Sequence, residues 1–150
     1  MSDRVHIVEV GPRDGLQNEK TPISVADRIA FIEALIAAGL HTVEVGAFVS
    51  PKAIPQMVGS AEVLRGVSHH TDCELPVLVP NEKGYEASQA AGAKLIAVFA
   101  AASESFSRVN INCSIAESID RFKPVLAREK VSDAAANTAI SFAPAACEAS

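Results

Sequence analysis

A chain of 150 residues, 49% hydrophobic and 21% charged, has the length of one ordinary domain and enough apolar material for a buried core. The formal net charge is −5 and the lysines and arginines are scattered singly, which argues against a nucleic-acid partner. No apolar run approaches the roughly 20 residues that span a bilayer. Because strand-like sequence begins at Val5, we expect no signal peptide, no membrane segment and a cytoplasmic location.

Two strand–helix units fill the first half of the chain. The β-branched segment 5–10 predicts a first strand. Apolar residues at helical spacing over 24–38, begun by a Ser24 cap, predict an amphipathic helix. Segment 42–45 predicts a second strand, and a helix is predicted at about 60–66. The order is β-α-β-α.

Two further units follow. Segments 75–79 and 95–99 predict strands, and 81–91 and 114–128 predict helices. Repeated units of this kind imply a parallel sheet with right-handed crossovers. Hydrophobic periodicity alone leaves a doubly wound sheet and a barrel both open.

Unusual polar residues favour the barrel, because they fall at or just after the ends of the predicted strands, and in a barrel these ends form one catalytic rim. They are Arg13, Asp14, Glu44, Asn81 and the segment 103–112. We therefore predict an α/β fold that is the front half of a TIM (β/α)8 barrel, over residues 1–130. The Ala-rich segment 131–150 lacks a strand pattern, and we expect an irregular tail outside the family domain, disordered or weakly helical.

Arg13-Asp14 is the sharpest chemical pair in the sequence. A carboxylate in a turn after a strand can ligate a hard divalent ion, and an arginine can hold a developing oxyanion. The alternative is a surface ion pair. Glu44, at the end of the second predicted strand, fits a rim salt bridge as well as direct catalysis.

Three other polar residues are secondary candidates. Gln17 and Asn81 could orient a substrate carboxylate or a metal-bound water, although amides also satisfy loop backbones. Ser103 could touch substrate, but a serine after a strand more commonly caps a helix.

The sequence spacing of the cysteines and of the paired histidines argues against a catalytic thiol or a zinc site. Cys73, Cys113 and Cys147 show no CxxC or CxxH spacing, so we expect reduced thiols and no nucleophile among them. Adjacent residues such as His69 and His70 point in different directions, and no carboxylate lies nearby in sequence. We interpret the pair as part of a solvated loop.

The string from Glu9 to Lys20, EVGPRDGLQNEK, resembles the opening of the 3-hydroxy-3-methylglutaryl-CoA lyase family. That family belongs to a group of metal-dependent barrels that also holds isopropylmalate and homocitrate synthases. The Leu-Gln-Asn-Glu context at 16–19 is closer to the lyases than to the synthases. The resemblance runs from residue 5 to about 130, and its other matching segments are 43–44, 48–52, 55–57, 76–81, 101–104 and 110–114.

The resemblance implies cleavage of 3-hydroxy-3-methylglutaryl-CoA to acetoacetate and acetyl-CoA, assisted by Mg²⁺ or Mn²⁺. Carried over to this sequence, Asp14 would be a metal ligand and Arg13 would stabilise the enolate oxygen. Glu44 would support the arginine. Gln17, Asn81 and Ser103 are candidates for contact with this acyl-CoA substrate on their side-chain chemistry alone.

The resembling lyases complete the metal site with a His-x-His pair and an asparagine from later strands, and use a cysteine in a later loop as acid or base. These have no counterpart in the 150 residues, which we attribute to a frameshift or a premature end of the coding sequence. We expect a chain that is inactive alone and that pairs its open edges with a second copy or a complementary C-terminal half. A Claisen-type synthase and a non-catalytic half-barrel interaction subunit are the alternatives.

Overall fold

Helices and parallel strands alternate along the chain. The computed structural model describes residues 5–129 and the backbone of residues 139–143. The helices are α1 (Val25–Ala37), α2 (Ser60–Val67), α3 (Glu82–Ala90), α4 (Glu104–Ile111) and α5 (Ile115–Glu129). The strands are β1 (Gly46–Ala47), β2 (Val77–Leu78), β3 (Ile96–Ala101) and β4 (Ala139–Ala143). Within these described ranges, no helix is long and apolar enough to cross a membrane.

The four strands form one sheet in the order β1-β2-β3-β4, and every neighbouring pair is parallel. Gly46 lies opposite Val77, and Val77 lies opposite Ile96. Since parallel neighbours need a crossover, a helix connects β1 to β2 and β2 to β3. The predicted α/β class with a parallel sheet is confirmed.

The strand predicted at 5–10 is wrong for most of its length. Only Glu9 makes a bridge, to Val43, with Glu9 N donating to Thr42 O at 3.0 Å and Glu44 N donating to Glu9 O at 2.8 Å. The side chains before it are open to solvent, Val5 at 86% and Ile7 at 64%. Segment 5–8 therefore adds no buried side chain to the core that would hold it against the neighbouring strand.

Local capping signals predicted the helices well. Ser24 Oγ accepts a hydrogen bond from Asp27 N at 3.1 Å at the start of α1. Asn81 Oδ1 does the same for Gly84 N at 3.0 Å at the start of α3. Before α5, Ser114 N donates to Glu117 Oε2 at 2.7 Å. These bonds satisfy amide groups that a helix N-terminus leaves without partners.

Helix α4 was not predicted. Ser103 Oγ accepts from Phe106 N at 3.3 Å and begins the helix, which ends at Asn112 in a left-handed conformation with φ of 50°. Ser107 is its buried residue and its apolar Val109 is 83% exposed, so apolar periodicity does not mark the buried face of this helix. The polar segment 103–112 is therefore mostly helix.

Strand β4 corrects the expectation that the tail contains no strand. Its five residues pair with β3, from Ala97 opposite Ala139 to Ala101 opposite Ala143. Alanine is a weak strand former. The two alanines of β4 are nevertheless in a strand because β4 pairs with β3, which lies about 40 residues earlier in the chain. The expectations for 130–138 and 144–150 lie outside the described residues.

The core lies where the strands meet α1 and α2. Its strand members are fully or almost fully buried, as are the helix residues packed against them. Burial of each such side chain contributes roughly 1.5–3 kcal/mol to the free energy of folding. This packing holds in place the strand ends that carry the polar residues. The members at 0–1% exposure include Val43, Val45, Val77, Val79 and Ile96 from the strands and the residues beside them, and Ile32, Val63 and Val67 from the helices.

Candidate active site

The loop after the first bridge turns tightly at Gly11–Gly15, which form one turn of π-helix. Arg13 N and Asp14 N both donate to Val10 O, at 3.1 and 2.7 Å. Gly11 N donates to Glu9 Oε1 at 2.6 Å, and a Cβ on Gly11 would lie 2.8 Å from that oxygen. The turn buries the Arg13 side chain to 7% exposure and leaves that of Asp14 at 55%.

Arg13 joins two carboxylates that come from different strand ends. Its Nε donates to Glu44 Oε2 at 2.9 Å, and its Nη1 donates to Asp14 Oδ1 at 2.7 Å. Glu44 is 2% exposed, so the Arg13–Glu44 pair is buried whereas the Arg13–Asp14 pair faces solvent. Three charged groups therefore form one chain, Glu44–Arg13–Asp14, that runs from the interior to the surface.

Burial governs the electrostatics of Glu44. It raises the pKa of the carboxyl group above its ordinary value of 4.5, against the opposing effect of the Arg13 charge and hydrogen bond, while Asp14 raises it further. Glu44 Oε1 is buried without a hydrogen-bond partner among the described residues. This oxygen can therefore accept one more donor or carry a proton.

The secondary candidates are not joined to Arg13 by any hydrogen bond in the described part of the chain. Asn81 and Ser103 cap α3 and α4, as described above, which supports the backbone-satisfying interpretation of both side chains. Gln17 Oε1 is buried and has no hydrogen-bond partner within the described ranges. Of these three residues, Gln17 is the one with a buried polar side-chain atom that lacks a partner within the described ranges.

A buried arginine that the sequence did not single out holds the loop after β1. Arg28 of α1 is 1% exposed, and donates to Val58 O at 2.9 Å and to Ser60 Oγ at 3.2 Å. Ser60 Oγ also accepts from Ala47 N at 3.1 Å and donates to Met57 O at 2.7 Å. Burial lowers the pKa of Arg28. An arginine within an amphipathic helix gives no signal of this role, because its partners are set by tertiary contacts.

The histidine pair lies in a turn after α2 with the His69 side chain 64% exposed, as interpreted, but a carboxylate distant in sequence approaches both rings. His70 Nε2 lies 2.7 Å from Glu33 Oε2, and His69 Nε2 lies 3.5 Å from Glu33 Oε1. Glu33 belongs to α1, so its approach to the pair depends on tertiary packing that sequence distance conceals. Among the described residues, this is the group of three or more His, Cys, Asp or Glu side chains that could hold a metal ion. Asp14 is not part of it.

Comparison with known proteins identifies close relatives. A 3-hydroxy-3-isohexenylglutaryl-CoA/hydroxy-methylglutaryl-CoA lyase of Pseudomonas aeruginosa is 59% identical over 123 residues, which are 82% of this chain and 41% of that protein. The human mitochondrial hydroxymethylglutaryl-CoA lyase is 54% identical, over 82% of this chain and 38% of its own length. The chain thus spans about 40% of the length of the curated relatives it matches.

Solved structures of lyases also resemble this chain in fold. The hydroxymethylglutaryl-CoA lyase of Pseudomonas aeruginosa superposes with a TM-score of 0.83 at 54% identity, covering 91% of this chain and 46% of that one. An Acinetobacter baumannii lyase solved with coenzyme A and 3-methylmalate gives a TM-score of 0.78 at 32% identity, covering 88% of this chain and 43% of the other. The predicted fold, part of a TIM barrel, is confirmed.

The family model described as HMGL-like matches residues 4–147, which include Arg13, Asp14, Glu44 and strand β4. The sequence therefore predicted both the family and the fold correctly. A match over nearly the whole length shows that this chain belongs to the HMGL-like family.

Proposed function

We propose that this chain supplies the N-terminal part of the active site of a 3-hydroxy-3-methylglutaryl-CoA lyase. The reaction is a retro-Claisen cleavage that yields acetoacetate and acetyl-CoA. The observation that carries the proposal is the charged chain Glu44–Arg13–Asp14 at the strand ends, in a sequence 59% identical to a lyase of that activity. Because that relative is also named for 3-hydroxy-3-isohexenylglutaryl-CoA, the proposed substrates include branched 3-hydroxyacyl-CoA esters with longer side chains.

We assign to Arg13 the stabilisation of the enolate oxygen. Cleavage removes the proton of the tertiary hydroxyl group and leaves negative charge on a thioester enolate, so a fixed cation at that oxygen lowers the barrier. A guanidinium has five N–H donors. One donor binds Glu44 and another binds Asp14, which leaves donors of the same rigid group for the enolate oxygen.

Glu44 is assigned a positioning role. Its contact with Nε fixes the plane of the guanidinium before substrate arrives, and a preorganised donor needs no rearrangement during the reaction. The buried, unpartnered Oε1 is the atom through which Glu44 could also take part in proton transfer. Gln17, whose Oε1 is likewise buried without a described partner, is assigned to substrate orientation. Asn81 and Ser103 would contact substrate only in addition to capping their helices.

Asp14 is the residue we assign to a divalent metal, Mg²⁺ or Mn²⁺. Its carboxylate is half exposed at the barrel rim and offers the hard oxygen that these ions prefer. When bound, the ion would acidify the hydroxyl group of the substrate. Asp14 fits as one ligand, but Mg²⁺ keeps its water shell unless several ligands replace it. No other His, Cys, Asp or Glu of the described ranges forms a metal-type group with Asp14.

The remaining ligands are therefore proposed to come from a complementary segment. The test mixes the chain with a polypeptide that covers the rest of the Pseudomonas aeruginosa lyase, and measures acetyl-CoA release from 3-hydroxy-3-methylglutaryl-CoA with Mg²⁺. We expect release from the mixture and little from the chain alone. Consumption of acetyl-CoA instead of release would support a synthase of the same superfamily and contradict the lyase assignment.

A second candidate function is a non-catalytic half-barrel subunit that binds a partner chain. The observation that favours it is the apolar edge formed by Val5, Ile7 and Val8, which are 86%, 64% and 44% exposed. Contiguous exposed apolar residues at a sheet edge mark a surface for pairing. In the mixing experiment, a stable complex that releases no acetyl-CoA would support this candidate over the first.

A further inference from the structure

Two imidazoles and one carboxylate meet outside the charged chain at the strand ends. Glu33 lies in the second half of α1, and His69 and His70 follow α2 in the turn that leads to β2. The three donor atoms all lie within 4.8 Å of one another. The two rings are tilted by 38° with centroids 4.2 Å apart, and their Nε2 atoms approach different oxygens of the same carboxylate.

These distances are close to those of a metal-ligand set. Zn²⁺ binds imidazole nitrogen at about 2.0–2.1 Å and carboxylate oxygen at about 2.0–2.2 Å, so two donors of one tetrahedral site are about 3.3 Å apart. The measured separations of 2.7 and 3.5 Å between Nε2 and oxygen atoms lie on either side of that value. Small rotations of the side chains would therefore bring the three donors to one ion.

The backbone already holds the three side chains together. Helices α1 and α2 pack against each other through Ile32, Val63 and Val67, which are all fully buried. After α2, His70 N donates to Val67 O at 3.1 Å, which closes the turn that presents both rings. Glu33 is carried by a packed helix and the two histidines by a hydrogen-bonded turn, so the three donors are already close together before an ion arrives.

We propose that Glu33, His69 and His70 form a three-ligand site for a first-row transition ion such as Zn²⁺. Imidazole ligands select Zn²⁺, Cu²⁺ or Ni²⁺ over the hard ions Mg²⁺ and Ca²⁺. The side chain of His69 is 64% exposed and that of His70 is 21% exposed. The fourth position of a tetrahedral site therefore opens to solvent, where water or a ligand from another molecule would complete it.

This site is separate from the one proposed at Asp14. In a β/α unit the helix returns to the start of the next strand, so the end of α2 and the turn before β2 lie on the face opposite the catalytic rim. Residues on that face act on stability. A metal that joins α1 to the turn before β2 should therefore stabilise the fold by mass action, whether or not the chain is catalytically active.

The test titrates Zn²⁺ into the full chain, kept reduced, by isothermal calorimetry. We expect one site, and a weakening of its affinity by roughly tenfold or more in each of Glu33→Gln, His69→Gln and His70→Gln. The melting temperature should rise with Zn²⁺ in the wild-type chain and stay constant in the variants. Because His69 is largely exposed, His69→Gln retains the fold and remains informative even if a more buried variant does not.

Two matched controls define the site. His6 also faces a carboxylate, with Nε2 at 3.8 Å from Glu74 Oε2, but belongs to no group of three metal donors in the described ranges. His6→Gln should leave Zn²⁺ affinity unchanged, as should Glu62→Gln at an exposed position of α2. The proposal is overturned if the wild-type chain binds no Zn²⁺ or if the three ligand variants bind it as tightly as the wild type. A thiolate absorption band with Co²⁺ as the probe would also overturn it.

Discussion

Arg13 is the cation of the charged chain Glu44–Arg13–Asp14, and the planar shape of its guanidinium group matters as much as its charge. We expect Arg13→Lys to lower kcat by roughly a hundred- to thousandfold, because an ammonium group cannot bind Glu44, Asp14 and an enolate oxygen in one plane. The measurement is acetyl-CoA release by the chain complemented with the remainder of a lyase. Arg65→Lys, at an exposed position of α2, is the control and should leave the rate unchanged. Equal rates for the two variants would remove Arg13 from its assigned role.

Glu44 gives the protein a pH dependence whose sign is fixed by its pKa shift. Burial raises the pKa of Glu44 above 4.5, so the folded state binds its proton more tightly than the unfolded state. The contribution of the carboxyl group to stability is then complete below the unfolded pKa and falls as the pH rises through the folded pKa. The wild-type free energy of unfolding, minus that of Glu44→Gln, should therefore decrease as the pH rises above 4.5.

Urea unfolding at a series of pH values measures this difference. Glu62→Gln, an exposed carboxylate of α2, serves as the control, and its curve should run parallel to that of the wild type. A pH-independent difference for Glu44→Gln would show that its protonation is the same in the folded and unfolded states.

At the residue scale, composition and spacing predicted which strand-end residues are charged, whereas the link between Glu44 and Arg13 was expected only from the family resemblance. The neighbours Arg13 and Asp14 could be paired from sequence alone, and their contact is present. The contact between Arg13 and Glu44 spans 31 positions and depends on the bridge between Glu9 and Val43. The hydrogen bonds of Arg28 are likewise tertiary. Local sequence carries no signal for contacts of this range.

At the level of elements, β1 begins with Gly46, and side chains of α1 and α2 lie close to its backbone. A Cβ on Gly46 would lie 2.6 Å from Ser60 Oγ and 3.1 Å from Arg28 Nη2. Gly46→Ala should therefore destabilise the fold by about 1–3 kcal/mol, the usual cost of forcing an extra group into a packed site. Chemical denaturation measures the change.

Gly15→Ala is the matched control for that substitution, because nothing lies within 4 Å of a Cβ at Gly15. It should change the unfolding free energy by less than about 1 kcal/mol, and in the stabilising direction if the backbone accepts alanine without strain. Similar losses for both variants would mean that backbone freedom, rather than crowding by Ser60 and Arg28, explains the effect.

Helices with a capping residue and an apolar stripe were predicted within a residue or two, since both signals lie inside the element. Helix α1 and helix α5 are examples. The sequence missed α4 and β4, which are short segments of eight and five residues whose apolar patterns are correspondingly brief. Strand β4 exists by virtue of its ladder with β3, and α4 by its Ser103 cap together with the bond from Ser107 Oγ to Cys113 O at 2.7 Å. Their stability comes from partners outside the segment.

For the whole molecule, the exposed apolar edge predicts association. We expect the sedimentation coefficient of the chain to rise with concentration, and Ile7→Lys to suppress the rise, because a charge at an edge opposes strand pairing. Val109→Lys is the control, since Val109 is 83% exposed but lies on α4, away from that edge. A concentration-independent monomer would contradict the prediction, and equal suppression by both variants would assign the association to a general apolar surface.

The order of strands in the sheet has a consequence for how the protein is made. Each strand pairs with the strand before it in the chain, so the sheet can grow at one side as the polypeptide leaves the ribosome. Core contacts among α1, α2 and the strands beside them can form early, because all their residues precede residue 97. Strand β4 joins the sheet last. The amide and carbonyl groups along one side of β3 have no strand partner until about 40 further residues have been translated.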